Sequence, residues 1–264
     1  MKFVFLFMLL FFNTKKLYSS NDIKSYKKFK DGYYNYNNLN IKKLSCELDG
    51  FALSFNIDRI KKKLDKLKVK YNENRDLPSF FLDSSGGIKF QEYKLEVSDF
   101  KNVEGKELIL SDLNSVKESL TKINEIVGNT LEELVLEEFK KLTSIKKTNS
   151  KPIEFRIVDE GLIRDIKVNG NSVVETIEAD GTVIKMTKIF TKDEGNKKFI
   201  FEKVNIDITN PLGEINISSD VSYQSVKTIK VPKKVIYDYK ENINKQFSMH
   251  SGTVLFKNCF VEFL

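Results

Sequence analysis

Apolar positions change period midway along the chain. From residue 153 onward they alternate with polar ones: Ile153, Phe155 and Ile157 fall on one side, Glu154 and Arg156 on the other. Further on, Ile200, Val204, Ile206 and Ile208 share a face, opposite Lys203, Asn205 and Asp207. Period two marks a half-buried strand. Turn chemistry separates the runs: Asp159-Glu160-Gly161, Asn169-Gly170, Asp180-Gly181, Glu194-Gly195-Asn196 and Asn210-Pro211-Leu212-Gly213. Asn-Gly and Asp-Gly supply the positive φ angles of tight hairpins. The pattern predicts strands over 153–158, 162–168, 173–178, 183–191, 198–209, 214–218, 221–231, 234–239 and 253–263, joined as an antiparallel meander.

The first half has mixed periods. Ile23, Tyr26 and Phe29 line one side of a helix over 22–30. Segments 41–48 and 51–57 read as two strands. Ile60, Leu64, Leu67 and Tyr71 stand at i, i+4, i+7 and i+11, which predicts a lysine-clad helix over 59–71. Strands are expected over 88–100 and 106–110. Ser115 and Glu118 form a capping-box pair ahead of a stripe of Val116, Leu120, Ile123 and Val127, and Gly128-Asn129 ends that helix. Thr130 and Glu133 open a second, with Leu131, Leu134, Val135, Phe139 and Leu142 on its apolar face. Residues 143–151 read as a linker. A long meander with one apolar face needs a cover, and these helices supply it. The expected fold class is α+β: one domain over 21–264, with a helix-rich part 21–150 and an antiparallel sheet part 151–264.

The N-terminus adds a destination. Met1 and Lys2 precede ten unbroken apolar residues, Phe3 to Phe12, the size of a secretory h-region and too short to span a bilayer. We read 1–20 as a signal peptide and the chain as exported to the periplasm or cell envelope. Lys15 and Lys16 after the apolar run depart from the usual pattern. Cys46 and Cys259 are the only cysteines, each in a predicted strand. In an exported chain an even count invites a disulfide between the first strand and the last; a pair of buried thiols is the other state.

The formal charge of +7 is moderate for 264 residues, and acids are interspersed with the bases. It points to a solvated surface and to no nucleic-acid partner. Lys61, Lys62, Lys63 and Lys66 could set the helix over 59–71 on an anionic membrane surface; an ordinary surface helix packed by its apolar stripe has the same pattern. No HExxH, CxxC, phosphate loop or dinucleotide glycine pattern occurs, and the single His250 has no nucleophile motif beside it. The sequence therefore names no catalytic residue, cofactor or metal.

The closing strands contain Tyr223 to Val231, Pro232-Lys233-Lys234, Val235 to Tyr239 and then Gly252-Thr253-Val254-Leu255-Phe256-Lys257-Asn258. This order resembles the end of the LolA/LolB-like lipoprotein carriers, in which a strand, a proline near the start of the next and a final G-x-x-x-F strand close the sheet. The resemblance covers about 153–263 and, more loosely, 22–48; residues 59–150 are longer and more helical than it implies. It implies a curved meander forming an open half-barrel covered by helices, without enzymatic chemistry, holding a lipid or lipoprotein acyl chain between sheet and helices. Burial of the chain would supply about 0.8 kcal/mol per CH₂. Phe155, Ile157, Phe190, Phe199 and Phe201 are the candidate lining; the ordinary reading of each is a core residue, because the pattern does not say which face the helices cover. The alternative is a secreted structural or interaction protein with a fully packed core. A carrier should have an apolar cavity of several hundred Å³ between sheet and helices, an interaction protein a packed interior with an exposed apolar patch, and a solid core would exclude the carrier.

Overall fold

A computed structural model describes residues 20–33, 35–36, 39–73, 77–83, 88–97, 105–132, 145–150, 152–159, 162–193, 195 and 197–264. Residues 1–19 of the expected signal peptide and 133–142 of the expected second helix lie outside them. The elements run α1 (Ser20–Asp31), β1 (Ile41–Gly50), α2 (Leu53–Lys66), β2 (Tyr71–Glu73), β3 (Ser79–Asp83), β4 (Ile88–Gln91), β5 (Leu95–Val97) and α3 (Lys106–Glu132). Nine strands follow: β6 (Ile145–Ser150), β7 (Ile153–Asp159), β8 (Leu162–Asn169), β9 (Ser172–Ala179), β10 (Thr182–Lys192), β11 (Phe199–Asn210), β12 (Gly213–Val226), β13 (Ile229–Ile243) and β14 (Gln246–Phe263).

Twelve strands form one antiparallel sheet in the order β4-β3-β1-β14-β13-β12-β11-β10-β9-β8-β7-β6. The last nine are the meander, and β1 extends it beside β14. The sheet does not close, since β4 and β6 stand at opposite edges; β2 and β5 pair separately. The hairpins use the expected chemistry. Asp180 and Gly181 both hold positive φ, at 48° and 76°, as a tight two-residue turn demands. The Asn210 side chain accepts from the Leu212 and Gly213 amides at 2.8 and 3.1 Å.

Several elements differ from the sequence reading, each for a local reason. Segment 51–57 is not a strand: α2 begins at Leu53. Leu53 and Phe55 fit period two, but Leu53, Ile57, Ile60 and Leu64 are the residues buried, while Phe55 is 66% exposed. The helix ends at Lys66, and Tyr71 belongs to β2. Segment 106–110 is the first turn of α3, burying Ile109 and leaving Leu108 outside. Gly128 does not stop α3, which continues to Glu132. Segment 88–100 divides into β4 and β5. The expected linker after residue 143 contains the edge strand β6. The polar segment 245–252 is the first part of β14, paired to β13 from Gln246 onward.

The helices lie on one face of the sheet. Tyr26 of α1 meets Phe155 of β7 edge-on with ring centres 5.3 Å apart, and Tyr33 meets Phe190 of β10 at 4.5 Å. On the other flank, α2 and α3 run antiparallel: Arg59 and Lys63 both reach Asp112, at 2.8 and 2.7 Å. Behind that pair, α3 comes against β1 beside Gly50, where an added Cβ would stand 3.3 Å from Ile123. Lys122 of α3 sits 4.4 Å above the Tyr239 ring of β13. Asp49, at the end of β1, receives the Ser54 amide and hydroxyl at 3.1 and 2.8 Å, so it anchors the first turn of α2. Among the described residues no helix is long and apolar enough to cross a membrane.

Candidate functional site: an aliphatic sheet face ending at buried charges

Strand register decides which side chains share the helix-bearing face. Because successive residues point to opposite sides, directly opposed residues in adjacent strands form rows across the sheet. One row is Ile157, Arg164, Ile177, Ile184, Ile208 and Ile215, crossing β7 to β12. The next is Phe155, Ile166, Glu175, Met186, Ile206, Ile217 and Tyr239, crossing β7 to β13. Phe155, Ile157 and Ile166 are buried. Ile177, Ile184, Met186, Ile206, Ile208, Ile215 and Ile217 are only partly covered, and of these only Ile206 packs against the buried core. The described helices thus leave a continuous aliphatic surface on β9 to β12, between α1's flank and α3's.

Three charged side chains bound this surface at its β8 end. Glu175 lies between Arg164 and Lys188, each one residue pair along its own strand from Glu175's direct neighbour. Glu175 is ion-paired with Arg164 and accepts from Lys188 Nζ at 3.2 Å. Glu175 is 3% exposed and Lys188 5%. Arg164 also faces α1: burial pushes the Tyr26 hydroxyl pKa up, and Arg164's charge pulls it part of the way back. Both cations thus meet on one buried carboxylate. Period-two reasoning assigned all three to sheet strands without showing that they converge; only the register does that.

The five residues named from sequence have a different place. Phe155, Ile157, Phe190 and Phe201 are core residues, and Phe199 is partly buried against the same core. Tyr33 stacks on Phe190 and Phe199, and Tyr223 on Phe201. Their aromatic surface is therefore taken up by packing of α1 and the turn after it, and the open lining is the isoleucine and methionine set beyond.

Other candidate chemistry is dispersed. Cys46 and Cys259 are joined as a disulfide between β1 and β14. His250 is exposed, with its ring centre 6.3 Å from that of Tyr239; burial, helped by the Glu241 carboxylate it bonds, pushes Tyr239 up to about 12. Lys61 is engaged by Glu73 at 2.6 Å and Lys63 by Asp112, whereas Lys62 and Lys66 are exposed and line a surface groove with Phe55. A groove of about 390 Å³ between α3 and residues 92–96 includes Tyr93, Leu95, Leu113 and Leu120. Among the described residues no three His, Cys, Asp or Glu side chains come together as a metal-binding group. No protein-family model, curated protein or solved structure matches the chain.

Proposed function

We propose that the chain is an exported, non-enzymatic protein that binds or carries a lipid or lipoprotein acyl chain against the helix-bearing face of an open, curved sheet. The observation that carries this reading is the partly uncovered aliphatic surface of Ile177, Ile184, Met186, Ile206, Ile208, Ile215 and Ile217. Contiguous apolar surface of this kind costs solubility unless something occupies it. Saturated side chains without hydrogen-bonding groups suit an occupant that is itself saturated and featureless, and burial supplies the affinity at about 25 cal/mol per Å². The Cys46–Cys259 disulfide fits an oxidising compartment and supports export. The unclosed meander and the resemblance of its last strands to the LolA/LolB-like carriers point the same way.

The test is gel filtration of the protein after incubation with a pyrene-labelled acyl chain. The wild-type protein should carry the probe through the column, and Ile184→Glu/Ile208→Glu should elute without it at the same volume. Equal probe retention by the variant would contradict the reading. So would a wild-type protein that takes no probe and dimerises with rising concentration unless the two glutamates are present, because a second copy would then be the occupant.

A further inference from the structure

We infer that the outward face of α2, built from Phe55, Lys62 and Lys66, docks the protein on an anionic lipid bilayer. This face shares no residue with the aliphatic sheet surface, and the inference stands without the acyl-chain reading.

Helix geometry decides which side chains meet. Leu53, Ile57, Ile60 and Leu64 are buried and form one stripe. At about 100° per residue, Phe55, Lys62 and Lys66 fall within about 40° of one another, directly opposite that stripe. All three are exposed, and they line one surface groove with Asp58, Arg59 and Lys63. Packing on the sheet explains the buried stripe but not Phe55, whose side of the helix faces away from the core. Charge favours one kind of partner. Residues 58–70 hold seven Lys and Arg against two Asp. Glu73 engages Lys61, and Asp112 engages Arg59 and Lys63, so those contacts fix the helix on the protein. Lys62 and Lys66 occupy the outermost line, with Asp58 and Asp65 together on one flank of it. A second apolar side chain comes from α3. Leu108, 69% exposed, stands one turn before Asp112, which places it toward the Lys66 end of the antiparallel pair. Exposed rings and leucines among lysines match a bilayer interface: the apolar groups enter the acyl boundary while the ammonium groups stay among the head groups. Anionic head groups draw such a basic segment to the surface, each lysine strengthening binding about fivefold.

The experiment is co-sedimentation of the protein with vesicles of phosphatidylcholine alone and of phosphatidylcholine with one-third phosphatidylglycerol. The wild-type protein should bind the anionic vesicles much more tightly than the neutral ones, and high salt should weaken that binding. Lys62→Gln/Lys66→Gln should weaken it about twentyfold, from two lysines at about fivefold each. Phe55→Ser should weaken it about tenfold, from the lost burial of the ring, and leave the salt dependence in place. All three positions are exposed, so the variants should keep the wild-type melting temperature. Ile184→Glu/Ile208→Glu should bind the anionic vesicles as the wild type does, which separates this face from the acyl-chain surface. Equal binding to both vesicles would overturn the inference. So would a loss confined to the isoleucine variant, because the sheet would then be the membrane contact. Binding to neither vesicle would also overturn it, and dimerisation abolished by Phe55→Ser would then make a second copy the occupant.

Discussion

Cys46 and Cys259 are bonded across β1 and β14, 213 residues apart in sequence. Cys46 lies opposite a bulge: the β1–β14 register steps from Ser45↔Phe260 to Glu47↔Lys257, leaving Asn258 and Cys259 facing one residue. Asn258 takes a φ of 48° there, which re-aims the strand and lets the cysteine reach across. The bond fastens the strand that opens the fold to the strand that ends it.

Reduction, or Cys46→Ser/Cys259→Ser, should therefore lower stability substantially. In the chain-entropy account, closing a loop of this length contributes about 5 kcal/mol. Urea unfolding of the oxidised and reduced protein measures it. A midpoint that does not move would show that the β1–β14 pairing holds without the bond.

Asp49 links stability to acid. Burial alone would raise its carboxyl, but hydrogen bonds from Lys257 at 2.6 Å and from Ser54 outweigh this and hold it below the usual carboxylate range. A carboxyl depressed in the folded state stabilises the protein above its unfolded pKa, about 3.9, and that contribution is lost as pH falls through the folded value. Asp49→Asn should cost on the order of 1–3 kcal/mol at pH 7. The difference from wild type should shrink below about pH 4 in parallel thermal melts. A deficit that stays constant down to pH 2 would contradict this account.

Gly252 stands opposite Tyr237, and a Cβ at residue 252 would come within 2.8 Å of the Tyr237 hydroxyl and 3.2 Å of its ring. Tyr237 is 1% exposed and has little room to retreat. Gly252→Ala should destabilise by about 1–3 kcal/mol, as overpacking does. Adding Tyr237→Phe removes the closest atom and should restore part of the loss. Additive losses in the double variant would show that the two residues do not collide.

The meander was legible because its signals are local. Alternation in 153–158 and 200–208 and the Asn-Gly and Asp-Gly turns each depend on neighbours in sequence. The state of Cys46 and Cys259 was not: the sequence left a bridge and two buried thiols open, and the register that brings them together joins strands 213 residues apart. The α2 start was misread because Leu53, Phe55 and Ile57 satisfy a strand's period as well as a helix's. Phe55 is exposed and Leu53 and Ile57 are buried, which only tertiary packing reveals. Of the two readings open for Phe155, Ile157, Phe190, Phe199 and Phe201, the core one fits the structure, and the partly covered aliphatic residues lie elsewhere. Phe155 and Phe190 are the larger apolar side chains, but Tyr26 and Tyr33 cover them. Ile184 and Ile208 sit opposite one another at positions outside the buried core. The Arg164–Glu175–Lys188 cluster depends on register across three strands, which alternation within each strand does not give.

The central claim concerns the occupant of the Ile184–Ile208 surface, and native mass spectrometry of the mature chain, purified without detergent, tests it directly. The account predicts extra mass matching a long-chain lipid, lost on denaturation and missing from Ile184→Glu/Ile208→Glu. A clean protein mass that stays unchanged when palmitate, hexadecyl phosphate and hexadecanol are offered would contradict it.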